Sequence, residues 1–125
     1  MSNIVFELVE VVVFRRAKQP EFLVLQRSDD EDIYPGLWQI VSGGIESGEK
    51  TYEAAVREVE EEIGVKPIRL FNTPLTNTFY FYTTDSVNVS PVLAAEVGAV
   101  SEVKLSPEHQ AFHWLGKEEA ISLLV

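Results

Sequence analysis

The chain has 125 residues, the size of one ordinary domain with a real hydrophobic core, and contains no cysteine. Disulfides, thiolate metal sites and cysteine nucleophiles are therefore excluded. Ten basic against twenty acidic residues give a formal charge of -10, which excludes a broad basic surface for a nucleic-acid duplex. A small polyphosphate remains compatible, because divalent cations held by carboxylates invert the local field.

The opening MSNIVFELVE has neither the basic start nor the long apolar run of a secretory signal, and no stretch reaches bilayer-spanning length. A cytoplasmic protein forming a single domain over 1–125, without a membrane partner, is expected. Nothing in the sequence signals an oligomeric state. Ile4 to Arg16 is rich in Val and Phe, and FLVLQR, Phe22 to Arg27, is a second β-type run; the Lys18 to Glu21 turn between them predicts a hairpin. A polar loop, Ser28 to Gly36, precedes a third strand, Leu37 to Val41, which runs into the glycine-bearing SGGIESGE.

From Thr51 to Ile63, Tyr52, Ala55, Val56, Val59 and Ile63 recur at helical spacing, with Thr51 as N-cap, Gly64 as the residue after the helix and Pro67 as a stop. KPIRLFN, TNTFYFYTT and VNVSPVLAAEV then read as three strands. In FYFY, alternation puts Phe79 and Phe81 on one face and Tyr80 and Tyr82 on the other, one pair toward the core. SPEHQ reads as a turn or short helical cap, AFHWL as a last strand and KEEAISLLV, ending at Val125, as an amphipathic helix. Strands on both sides of a central helix, with another helix at the end, predict an α/β sandwich on a mixed sheet.

The central helix poses a problem of repulsion, since Glu58, Glu60, Glu61 and Glu62 crowd two turns. At about 100° per residue, Glu58, Glu61 and Glu62 share one arc at the edge of the apolar stripe, while Glu53 and Glu60 face solvent. Two readings fit: an ordinary solvated acidic face, or an oxygen-rich site for a hard cation such as Mg²⁺ or Mn²⁺. His109 and His113 are four apart, but Pro107 before them and the strand AFHWL argue against a helix there, and neither is read as a metal ligand.

Spacing upstream separates the two readings. From Gly43, five residues lead to Glu49 and seven more to Arg57-Glu58, followed by Val59, Glu60, Glu61-Glu62, Ile63, Gly64 and Val65. At every fixed position this resembles the signature of the Nudix hydrolases, with a chance match on the order of one in ten million or less at ordinary residue usage. The resemblance extends to LQRSDD before the motif and LSPEHQAFHWL after it. One departure is Ser42, where many relatives have glycine.

The resemblance implies an α/β/α sandwich around a mixed β-sheet. It implies Glu58, Glu61 and Glu62 as metal ligands, Arg57 and Glu49 as the ion pair bracing loop against helix, and a backbone carbonyl near Ser42 and Gly43 in the metal shell. Gly43, Gly44 and Gly48 are read as giving the loop positive φ and close approach to phosphate or metal. Arg27 resembles a phosphate-contacting residue, with a plain surface arginine as the competing reading. Trp38 is read as core in preference to a base platform.

The implied reaction is metal-dependent hydrolysis of a nucleoside diphosphate linked to another group. LQRSDD, GLWQIVSGGIESGE and SPEHQAFHW are most similar to the nucleoside-triphosphate branch, which includes dATP and dihydroneopterin triphosphate pyrophosphohydrolases and releases a monophosphate and pyrophosphate. Alternatives are a dinucleoside polyphosphate or capped-RNA hydrolase, or a non-catalytic nucleotide-sensing domain. The general base is either Glu108, swung over the helix by the Ser106-Pro107 turn, or one of Glu58 and Glu61.

Overall fold

The computed structural model describes residues 1–124. In chain order the elements are β1 (Asn3–Val5), β2 (Leu8–Arg16), β3 (Pro20–Arg27), β4 (Trp38–Gln39), β5 (Val41–Gly44), α1 (Thr51–Ile63), β6 (Arg69–Phe81), β7 (Ser86–Val97), β8 (His109–Leu115) and α2 (Lys117–Leu124). The strands form one eight-stranded sheet. It is mixed: β7 pairs in parallel with both β1 and β2, and the other pairings are antiparallel.

Alternation along β2 separates the two faces. Val9, Val11 and Val13 are buried in a core with Leu23, Leu25, Val41 and the Ala54, Ala55, Val59 and Ile63 side of α1. The intervening Val12 turns to the opposite face, where it meets Phe22, Val24, Ile40 and the Ala120, Ile121 and Leu124 side of α2. The result is the α/β/α sandwich expected. Among the described residues, no helix is long and apolar enough to cross a membrane.

β2 is shared by two partners on one side. Its first half, Leu8 to Val11, pairs with β5, and its end, Phe14 to Arg16, pairs with β3. The glycine strand is thus held beside α1, where the site is built.

Several expected elements differ. The first strand breaks at Phe6-Glu7, because the Glu7 carbonyl turns aside to accept the Ile45 N–H at 2.8 Å. The third breaks at Ile40 into β4, bonded to β3, and β5, bonded to β2. Two of the three strands expected after α1 are one strand, β6, whose register shifts between Asn72 and Thr76 around Pro74, a residue with no N–H to give a ladder. Neither face of FYFY is core: Phe79, Tyr80, Phe81 and Tyr82 are all exposed, on a strand that pairs only with β7. The last strand starts earlier, at His109. α2 follows the expected helix, with Val125 outside the described residues.

On α1 the N-cap is Lys50 in place of Thr51, and the Glu53 carboxylate accepts the Lys50 N–H at 2.9 Å. Glu53 therefore caps the helix as well as facing solvent. Gly64 ends it at φ 68°, the left-handed conformation glycine tolerates best. Tyr52, expected on the packed side, is 52% exposed, while Ile63 is fully buried. Replacing Ile63 by Ala should lower the unfolding free energy by about 2–5 kcal/mol, and Tyr52→Ala should change it by less than about 1 kcal/mol. Denaturant melts of the two variants check this; equal losses would contradict the packing.

Candidate active site

The site begins with one arginine on α1 reaching back to the loop that precedes the helix. Arg57 donates from Nε to Glu49 Oε2 at 2.8 Å and from Nη2 to Glu49 Oε1 at 2.9 Å. This is the bidentate pair expected from the motif. Nη2 also donates to the Gly44 carbonyl at 2.7 Å, while Nη1 serves Glu58 at 2.8 Å and Glu61 at 3.2 Å. Glu49 also accepts the Glu46 N–H at 3.0 Å. The Arg57 guanidinium, helped by that N–H, holds the Glu49 carboxyl down to about 2.

Gly43 and Gly44 lie extended in β5, and only Gly48 in this loop takes positive φ, at 79°. The expectation of positive φ at 43 and 44 is corrected: those residues are held by pairing with Val9 and Leu8. Gly43 is needed for space, since a Cβ there would overlap the Glu58 carboxylate and push it from its place. At Gly44 a Cβ would meet nothing closer than the Glu7 carbonyl at 3.9 Å.

Glu58, Glu61 and Glu62 converge with Ser42, Gly43, Gly44, Ser106 and Glu108 around one cleft of about 320 Å³. Glu108 arrives because the end of α1 needs partners. The orphan carbonyls of Glu62 and Ile63 accept the N–H groups of Ser106 at 3.2 Å and Lys104 at 2.8 Å. The chain then turns at Pro107-Glu108, with Ser28 donating to the Pro107 and Glu108 carbonyls at 2.8 and 2.9 Å. The turn expected at SPEHQ is thus pinned over the helix, with Glu108 exposed at the cleft wall.

Exposure divides the glutamates. The Glu61 side chain is 56% exposed, that of Glu58 12% and that of Glu62 3%. Neither carboxyl oxygen of Glu62 has a hydrogen-bond partner among the described residues. Burial, with Glu58 and then Glu108 nearby, raises its carboxyl from the ordinary 4.5 to about 9. Glu60 is exposed and outside the cleft.

Beneath Glu62 lies His109, buried, with Nδ1 3.8 Å from Glu62 Oε1. Burial, assisted by the Arg27 charge, lowers its pKa to about 4, so the ring is neutral. The Gln39 amide N–H donates to its Nε2 at 2.8 Å, which leaves the ring proton on Nδ1, facing Glu62. The ring thereby offers Glu62 a long N–H approach and keeps its one lone pair occupied. The i, i+4 spacing of the histidines gave no hint of this contact, which follows from the β3–β8 register and the Ser106–Glu108 turn.

Arg27 is engaged elsewhere, donating from Nε to the Ile33 carbonyl at 2.8 Å and from Nη2 to Glu31 at 3.3 Å. It braces its own loop and does not line the acidic cleft. Trp38 is half-buried and stacks on His113, centroids 5.0 Å apart and planes 20° apart.

Residues 7–124 match the sequence profile of the NUDIX domain. The chain is 30% identical over 107 residues, 80% of its length and 76% of the relative's, to the nucleoside triphosphatase NudI of Escherichia coli O139:H28. Its fold superposes on the E. coli dihydroneopterin triphosphate pyrophosphohydrolase with TM-score 0.77 and 26% identity, covering 95% of this chain and 88% of that one. A Caenorhabditis elegans Ap4A hydrolase gives TM-score 0.73 and 28% identity over 94% and 85%. The chain belongs to the Nudix hydrolase family.

The Glu62 environment sets a pH dependence. Its folded pKa lies above the unfolded value, so the stabilisation is complete below about 4.5 and is lost as pH rises through about 9. Metal-free protein in chelator should melt at progressively lower temperature between pH 6 and 9. Glu62→Gln should flatten that slope, and an unchanged slope in the variant would contradict the assignment.

Proposed function

We propose that the chain is a Mg²⁺-dependent nucleoside triphosphate pyrophosphohydrolase, acting as one cytoplasmic domain, with Mn²⁺ able to substitute. The observation that carries this reading is the convergence of Glu58, Glu61 and the unpartnered, buried Glu62 on one cleft. A buried carboxyl with no partner is costly, and a hard divalent ion is the chemistry that satisfies it. The likeness to a nucleoside triphosphatase supports the substrate class.

Glu58, Glu61 and Glu62 would hold the ion, assisted by the carbonyl edge of Ser42 and Gly43. When bound, such an ion neutralises phosphate oxygens and acidifies the attacking water. Arg57 keeps Glu58 and Glu61 aimed at the cleft while Glu49 anchors its other edge. Gly43, lacking a Cβ, lets the main chain approach the phosphates. Glu108 faces the helix carboxylates across the cleft and takes the proton from water as its oxygen bonds to phosphorus. The α–β anhydride bond breaks, leaving a nucleoside monophosphate and pyrophosphate.

A panel of ribo- and deoxyribonucleoside triphosphates, dinucleoside polyphosphates and ADP-ribose, assayed separately for pyrophosphate and phosphate, tests the proposal. Pyrophosphate should appear from triphosphates and stop on chelation; no turnover of any compound with Mg²⁺ or Mn²⁺ would overturn it. Glu61→Gln should lower kcat by roughly a hundredfold or more with the fold retained. Glu60→Gln should stay within about twofold of the parent. Metal binding should release protons, so the apparent Mg²⁺ affinity should rise from pH 6 to pH 9.

A further inference from the structure

On the sheet face opposite α1, one carboxylate is unexplained. Glu10 sits in the middle of the Val-rich β2, paired with Ser42 on one side and Val92 on the other. Its Oε2 is buried and has no hydrogen-bond partner among the described residues. Among the described residues no ion pair includes Glu10, and the arginines of its own strand, Arg15 and Arg16, pair with Glu21 and Glu96. An acceptor left unsatisfied inside a sheet is costly, and a valine at this position would carry no such cost.

Glu10 lines a cleft of about 440 Å³ with Trp38, Gln39, Ile40, Ser42 and Asn77. Trp38, held by its stacking on His113, supplies a flat apolar wall, and Ile40 an aliphatic one. Ser42 also lines the acidic cleft, so the two clefts meet at one residue. This is the form of a pocket for a planar heterocycle whose phosphates lie next door.

We propose that Glu10 is a specificity-determining residue that selects a base presenting two adjacent N–H donors. Two carboxylate oxygens accept two parallel N–H bonds. Guanine offers that edge, through its ring N1–H and 2-amino group, and 2-amino-4-oxopteridines offer the same pair. Adenine and cytosine set a ring nitrogen lone pair beside their amino group, and uracil flanks its single N–H with two carbonyls; each opposes a carboxylate with a lone pair. Hypoxanthine keeps the ring N–H and lacks the amino group. This assignment rests on the proposed triphosphatase activity, which places the phosphates at the neighbouring glutamates.

The test compares kcat/KM for GTP, ITP, ATP and neopterin triphosphate in Mg²⁺. GTP should exceed ITP by roughly ten- to hundredfold, the worth of one hydrogen bond to a charged group, and Glu10→Gln should bring the ratio close to one. A parent ratio near one, or a ratio unchanged by Glu10→Gln, overturns the proposal. Whichever of GTP and neopterin triphosphate is faster identifies the source of the shared edge. Should no triphosphate be hydrolysed, the triphosphatase reading fails separately. Equilibrium binding of the α,β-methylene analogues of GTP and ITP then decides on Glu10: about tenfold tighter binding of the guanine analogue supports it, and equal binding refutes it.

Discussion

Everything at this site depends on the fork of Arg57. A guanidinium has five N–H donors in a fixed plane, and here they serve Glu49, Glu58, Glu61 and the Gly44 carbonyl together. Those partners belong to three pieces of chain: the end of β5, the loop after it and α1. One side chain therefore sets the distance between the glycine strand and the acidic helix. The surrounding carboxylates hold the Arg57 proton still more firmly than in a free arginine, with Glu49 contributing most.

Arg57 also determines which repulsions remain. It offsets Glu58 and Glu61 from the side, but makes no contact with Glu62, which is buried between α1 and the His109 ring. The helix is consequently balanced at its exposed edge and unbalanced at its buried one. Without a divalent ion, a proton on Glu62 removes that imbalance; with the proposed ion, the same two oxygens become ligands. The segment returning over the helix end, bonded through Lys104 and Ser106, adds Glu108 to the same cleft. Structural hydrogen bonds that satisfy the end of a helix thus carry a further acid to the cleft of the helix carboxylates.

Local signals in the sequence were read correctly where they were strong. The period of α1 and its glycine stop located the helix to within one residue at its start, where Lys50 caps it in place of Thr51. The resemblance of the Gly43 to Val65 spacing to the Nudix signature implied the Arg57–Glu49 pair, and Ser106-Pro107 located the turn that carries Glu108. What was not legible depends on pairing between distant segments. The breaks at Phe6-Glu7 and Ile40 arise from β2 and β3 competing for neighbours, and Pro74 joins two apparent strands through a bulge where it reads as an interruption. Tyr52 has the right helical phase for the core and finds no layer to pack on. Glu10 was hidden for a similar reason, since one acid in a valine run reads as a solvent-facing alternation until Ser42 and Val92 close on both sides of it.

Whether the arginine fork makes the carboxylates converge is read by calorimetric titration of Mn²⁺ into Arg57→Lys. A lysine keeps the charge but cannot bond Glu49 through two nitrogens while reaching Glu58 and Gly44. Mn²⁺ binding should weaken by about ten- to a hundredfold, the usual cost of losing a residue that orients metal ligands, with the protein still folded. Unchanged affinity in a folded Arg57→Lys variant would contradict it.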